Sequence, residues 1–157
     1  MAATRTVETI EALRGLVGQE LGVGQWLPIT QERVNAFADV TGDHQYIHVD
    51  PARAAATPFG TTIAHGFLTL SLLPLLGRER EGIRIDLHPK MGVNYGLNRV
   101  RFVAPVRVGK RIRLRTTLVS LEEVEPKVYQ LTYRHTVEIE GEERPAMVAE
   151  SIGRQYL

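Results

Sequence analysis

The run at residues 64–77 reads Ala-His-Gly-Phe-Leu-Thr-Leu-Ser-Leu-Leu-Pro-Leu-Leu-Gly, with leucine at 68, 70, 72, 73, 75 and 76. Wound as a helix, it has apolar side chains on every side, and a helix without a polar face belongs inside, wrapped by other structure. It is too short to cross a bilayer, which takes ~20 apolar residues. Pro74 either kinks this helix or marks its last turn.

The second half of the chain is patterned to be the wrapper. In Arg111-Ile112-Arg113-Leu114-Arg115 the alternation puts arginines on one side, expected to be solvated, and aliphatics on the other. Residues 128–139 place Tyr129, Leu131, Tyr133, His135, Val137 and Ile139 on one face. Further strands are predicted at 84–87, 92–95, 98–103, 107–119 and 146–152, with a hairpin connection at Gly141-Glu142-Glu143. Helices first and strands after argue for an α+β fold with an antiparallel sheet curled around one long buried helix. With 157 residues, 43% of them hydrophobic, the chain is expected to form one domain over 1–157 around a continuous core.

Ahead of the apolar run, residues 7–17 carry apolar side chains at helical spacing, and Gly15, Gly18, Gly22 and Gly24 then break regularity. Residues 21–27 suit a short extended piece. Thr30 is an N-cap for a helix whose face is Val34, Phe37, Ala38 and Thr41, and Gly42 is its C-cap. Residues 43–49 should then be irregular. Asp50-Pro51 reads as N-cap and first residue of a short alanine-rich helix, followed by a loop at 57–60.

The chain has no cysteine and a formal net charge of +1. That excludes a disulfide scaffold and cysteine-ligated metals, and it lacks the basic footprint of a nucleic-acid binder. Residues 1–8 lack the basic start and apolar run of a leader peptide. The expectation is a soluble cytoplasmic protein without nucleic-acid or membrane partners.

Chemistry concentrates in Gly42-Asp43-His44-Gln45-Tyr46-Ile47-His48 and Ile63-Ala64-His65-Gly66. Asp43 and His48 together could polarise a water and return its proton; equally, Asp43 could cap local amides and His48 be a structural histidine. His44, His48 and Asp50 are conceivable metal ligands, but Gly42 and Pro51 argue against one helix aligning them, and no metal is expected. Gly66, at the start of the buried helix, could offer its backbone N–H to a carbonyl oxygen gaining charge, or could be small for packing. His65 and Ser71 could orient a substrate or simply pack. No Gly-x-Ser-x-Gly elbow and no phosphate-binding glycine loop is present.

Gly42-Asp43-His44-Gln45-Tyr46-Ile47-His48 resembles the Gly-Asp-x-Asn-Pro-aliphatic-His motif of MaoC-like (R)-specific enoyl-CoA hydratases. Ile63-Ala64-His65-Gly66 resembles that family's second segment. Phe102-x-x-Pro105-Val106-x-x-Gly109 resembles its later strand pattern, and the likeness leans to the nodulation-protein-N-like branch. Gln45 and Tyr46 depart from the usual Asn and Pro.

The resemblance implies a hot-dog fold, a helix wrapped by an antiparallel sheet, usually paired as a homodimer. It implies reversible addition of water to trans-2-enoyl-CoA, giving the (R)-3-hydroxyacyl-CoA, with Asp43 and His48 as the catalytic pair and the Gly66 N–H as oxyanion donor. CoA is part of the substrate and no separate cofactor is implied. Gln45, Tyr46, His65, Phe67 and Ser71 are candidate substrate contacts, with Leu68 and Leu72 as further acyl-pocket candidates, and the bulk of Tyr46 points to short or medium chains. A hot-dog acyl-CoA thioesterase and a non-catalytic subunit of a heteromeric dehydratase remain as alternatives.

Overall fold

The computed structural model describes residues 5–78 and 80–157; residues 1–4, part of the stretch read for a leader peptide, lie outside it. In chain order the elements are β1 (Arg5–Val7), α1 (Ile10–Arg14), β2 (Glu20–Gly24), β3 (Leu27–Pro28), α2 (Gln31–Thr41), α3 (Tyr46–Val49), α4 (Pro51–Ala54), α5 (Gly66–Ser71), α6 (Leu73–Arg78), β4 (Arg80–Ile85), β5 (Met91–Phe102), β6 (Arg111–Glu125), β7 (Val128–Ile139) and β8 (Met147–Tyr156). The strands form one curved, open sheet in the order β1-β4-β2-β6-β7-β8-β5, with β3 also paired to β6. Pairing is antiparallel except between β1 and β4. This is the hot-dog arrangement, with α5 and α6 held against the sheet.

Leu68, Leu72 and Leu76 lie on one side of the α5–α6 helix and are buried in a cluster with Ile112, Leu114 and Val137 of the sheet. Each such leucine contributes on the order of 1.5–3 kcal/mol through burial. A second cluster, with Leu13, Leu21, Leu118 and Leu131, fills the other end.

The helix is not continuous. Pro74 has no N–H to give the Leu70 carbonyl; the Leu72 N–H donates to the Leu68 and Leu70 carbonyls instead, and the helix restarts at Leu73. Nor is it covered on every side: Phe67 is 68% exposed and Leu75 38%, so the apolar sequence leaves an exposed stripe.

Other boundaries differ for identifiable reasons. Val7 belongs to β1 rather than to a helix from 7 to 17; its backbone pairs with β4, and the helix starts only after Thr9, whose side chain accepts from the Ala12 N–H. The strands predicted at 92–95 and 98–103 are one strand, β5, with register shifts near Asn94 and Leu97. Arg107 makes only an isolated bridge to Ile63, and β6 begins at Arg111. The arginine face of β6 is ion-paired rather than merely solvated: Glu138 accepts from both Arg113 and Arg115, and Arg113 lies over the Trp26 ring. Among the described residues no helix is long and apolar enough to cross a membrane.

Candidate active site

Thr30 caps α2 through its side chain, and Gly42 ends the helix at φ 79°, a left-handed conformation that glycine takes at little cost. The chain then turns out to present Asp43, whose Oδ1 accepts the Gln45 N–H at 3.3 Å. The segment expected to be irregular winds into a single turn, α3, which carries His48 inward. Asp50 ends that turn and caps α4 by accepting the Arg53 N–H.

His48 is buried. Its Nδ1 lies 2.7 Å from the Ile63 carbonyl. A carbonyl only accepts, so Nδ1 carries the hydrogen and Nε2 is left with a lone pair. His65 behaves alike: Nε2 donates to the Asp43 carbonyl at 2.9 Å, and the buried Nδ1 has no partner among the described residues. The two imidazoles stack with centroids 3.8 Å apart, and Phe37 closes the other side of His65 at 5.0 Å. Potential ligand atoms of Asp43, His48 and His65 all lie within 4.8 Å of one another. Burial holds the His48 imidazole below its ordinary pKa, against the opposing effect of the Ile63 carbonyl, so the ring is neutral at pH 7.

Asp43, His48 and His65 are therefore the three groups brought together, and they are the set that could hold a metal. The trio of His44, His48 and Asp50 is not assembled: His44 turns to Asp39 at 2.8 Å, and Asp50 is spent on the α4 cap. The Gly66 N–H makes no backbone hydrogen bond among the described residues. A Cβ at position 66 would sit 2.8 Å from the Phe102 ring, so the space a side chain would need is filled by Phe102.

Gln45 is exposed at the start of α3. The Tyr46 ring lies under the Arg53 guanidinium at 4.2 Å, so its bulk is directed to α4 and no longer argues for short chains. Phe67 lies against the edge of Phe102 with centroids 5.9 Å apart. Leu68 and Leu72 belong to the core. A cavity of about 600 Å³ opens instead beside Leu70, Ser71 and Gly77, with Tyr95 and Leu97 on its β5 wall.

Sequence reasoning missed Gln31. Its Nε2 donates to the His48 carbonyl at 2.7 Å, and its Oε1 accepts the Thr62 hydroxyl at 2.5 Å. It thereby ties α2 to both segments of the site. A glutamine in a first helical turn carries no signal of such a bridge.

The model of the MaoC like domain matches residues 13–139. The chain is 53% identical to 3-hydroxyacyl-thioester dehydratase Z of Mycobacterium tuberculosis, over 96% of this chain and 97% of that protein. It is 47% identical to Nodulation protein N of Rhizobium meliloti, over 90% of this chain and 87% of that one. The solved (R)-hydratase from Aeromonas caviae superposes with a TM-score of 0.65 and 30% identity, covering 85% of this chain and 96% of that chain. A sheet curled round a helix, an aspartate and two histidines at the helix start, and near full-length similarity agree: the chain belongs to the MaoC-like dehydratase family and is an enzyme of that hydro-lyase type.

Proposed function

We propose that the protein is an (R)-specific enoyl-CoA hydratase, adding water reversibly to trans-2-enoyl-CoA thioesters. The observation that carries this reading is an Asp43 carboxylate oxygen and a ring nitrogen of His48 within 4.8 Å of each other beside the start of α5, with His48 Nδ1 spent on the Ile63 carbonyl and Nε2 therefore the nitrogen left to act. Asp43 accepts a hydrogen bond from one O–H of the water, which keeps that hydrogen, and aims the oxygen at C3. His48 Nε2 takes the other proton as the C3–O bond forms. Charge moves through C2 to the thioester oxygen, where the Gly66 N–H donates to it, an interaction worth about 10²–10³ in rate at such sites. His48 then returns the proton to C2, which balances the addition. His65 holds the Asp43 backbone through its Nε2. The water, the thioester and these residues supply every group the step needs, so the reading requires no separate cofactor.

The reading takes the chain as one domain, because both core clusters draw on β6 and β7. It also takes the protein as a two-fold homodimer. β5 pairs with β8 on one side and has no strand on the other among the described residues, and Met91, Tyr95, Leu97 and Phe102 on it are exposed together with Phe67. Open apolar edges of this kind need cover. A cytoplasmic setting belongs to the same reading, because acyl-CoA thioesters are made and used inside the cell.

The test is crotonyl-CoA mixed with the purified protein. Loss of the enoyl-thioester absorbance without release of free thiol is expected. Thiol release would identify a thioesterase instead, and no change in either signal would sink the hydratase reading. The same reaction run in a chelator should keep its rate.

A further inference from the structure

A second polar cluster, at the far end of the α5–α6 helix, takes no part in water addition. It forms the floor of the cavity: Arg80, Thr116, Tyr133, His135 and Ser151. His135 Nδ1 meets the Thr116 hydroxyl at 3.2 Å, and its Nε2 meets the Ser151 hydroxyl at 2.8 Å. Burial first, and Arg80 second, hold His135 at about 4, so it is neutral. Burial pushes the Tyr133 phenol up to about 12, so it keeps its hydrogen. The Arg80 Nε donates to the Ile83 carbonyl at 2.8 Å. No carboxylate lines the cavity among the described residues. A half-buried guanidinium in apolar surroundings is costly unless an anion pairs with it. Among the described residues the floor thus presents one positive charge and hydroxyl groups, with no negative charge to answer it.

The cavity and the candidate active site share two elements, the α5–α6 helix and β5. On the helix, Leu70 is four residues past Gly66, about 6 Å at the helical rise, and the lining runs on to Gly77. On β5, Phe102 abuts Gly66, while Leu97, Gly96, Tyr95 and Asn94 line the cavity further along the same strand. These shared elements are the ground for running the acyl chain of a thioester held at Gly66 along the helix and β5 toward Arg80. The volume is within the ordinary range of small-molecule sites.

We propose that this cavity receives the acyl chain and that Arg80, with the Tyr133 and Ser151 hydroxyls, binds a carboxylate at the chain's far end, making ω-carboxyacyl thioesters the preferred substrate class. This inference rests on the hydratase reading, which puts the thioester at Gly66. The carboxylate supplies the counter-charge that no described residue of the cavity wall provides. An unsubstituted alkyl end would leave the guanidinium unpaired and strip water from it.

The test compares trans-2-enoyl-CoA thioesters of increasing length with their ω-carboxy counterparts. The readout is the ratio of kcat/KM within each matched pair, which cancels general damage to the enzyme. Beyond the length that reaches Arg80, the wild type should favour the carboxylated member by tenfold or more. Arg80→Leu should lower that ratio by about 10–100-fold, the scale of a charged hydrogen bond. Arg80→Lys should recover part of it, and Tyr133→Phe should lower it by several-fold. Should Arg80→Leu fail to fold, the Lys and Phe variants decide. A wild-type ratio at or below one at every length, or a ratio unmoved in the variants, overturns the proposal. Crotonyl-CoA separates the two readings. If it is hydrated and no pair shows a preference, the hydratase reading stands and this one falls. If it is not hydrated, the hydratase reading falls; binding of a saturated ω-carboxyacyl-CoA that Arg80→Leu weakens would then still support the cavity assignment.

Discussion

The two ends of the α5–α6 helix each hold an imidazole that burial keeps neutral, yet they differ in what the ring can do. At the near end, His48 spends Nδ1 on a carbonyl and keeps a lone pair on Nε2, and the ring lies close to the Asp43 carboxylate. At the far end, both nitrogens of His135 are occupied by hydroxyls, and the neighbouring charge is a guanidinium. Burial alone therefore does not make a histidine a proton carrier. On the proposed function, an open nitrogen does, next to a carboxylate that can hold the water. On the inference drawn for the cavity, a saturated ring beside a cation serves instead as a fixed wall of the binding site.

The largest effect should come from closing the open end. His48→Ala or Asp43→Asn should lower the hydration rate about 10²-fold or more, the scale of acid–base catalysis, with the circular dichroism spectrum unchanged. Near-wild-type turnover in either variant would remove the distinction between the two ends.

The far end makes itself felt in stability. His135 is held at about 4, below the ordinary 6.5 it regains on unfolding. Between those values the unfolded chain binds more protons, so stability present at pH 7 is lost as pH falls from 6.5 toward 4. The full loss is about 3 kcal/mol from this group. Urea unfolding at several pH values should show this slope, and His135→Gln should flatten it. A slope that survives the substitution would assign it to other groups.

Gln31 gives the smallest effect and bears only on the near end. Gln31→Leu removes the bridge to the His48 carbonyl and to Thr62, a loss of about 1 kcal/mol for a net hydrogen bond. The expected result is a several-fold drop in kcat with little change in KM, because the bridge positions His48 and does not touch substrate. An equal rise in KM would mean that Gln31 shapes binding.

Much of the near end was legible in the sequence because it is local. Gly42, Asp43 and His48 lie in one short segment, and Thr30 and Asp50 announce caps by residue type alone. The far end was not legible. Arg80, Thr116, Tyr133 and Ser151 come from four different strands, and only the sheet order brings them to one cavity. The buried helix was readable from its leucines, but its exposed stripe was not: Phe67 and Leu75 are as apolar as Leu68 and Leu72, and composition cannot tell a core face from an edge awaiting cover. The break at Leu72 follows from Pro74, whereas the merger of two predicted strands into β5 depends on register shifts that pairing with β8 tolerates.

The most direct test of one end performing the whole water addition is the stereochemistry of hydration in deuterated water. Crotonyl-CoA should yield the (R)-3-hydroxy product with a single deuterium at C2, on the same face as the new hydroxyl, because His48 and Asp43 deliver both from one side. Deuterium on the opposite face, an even mixture of both, or the (S) product would contradict the account.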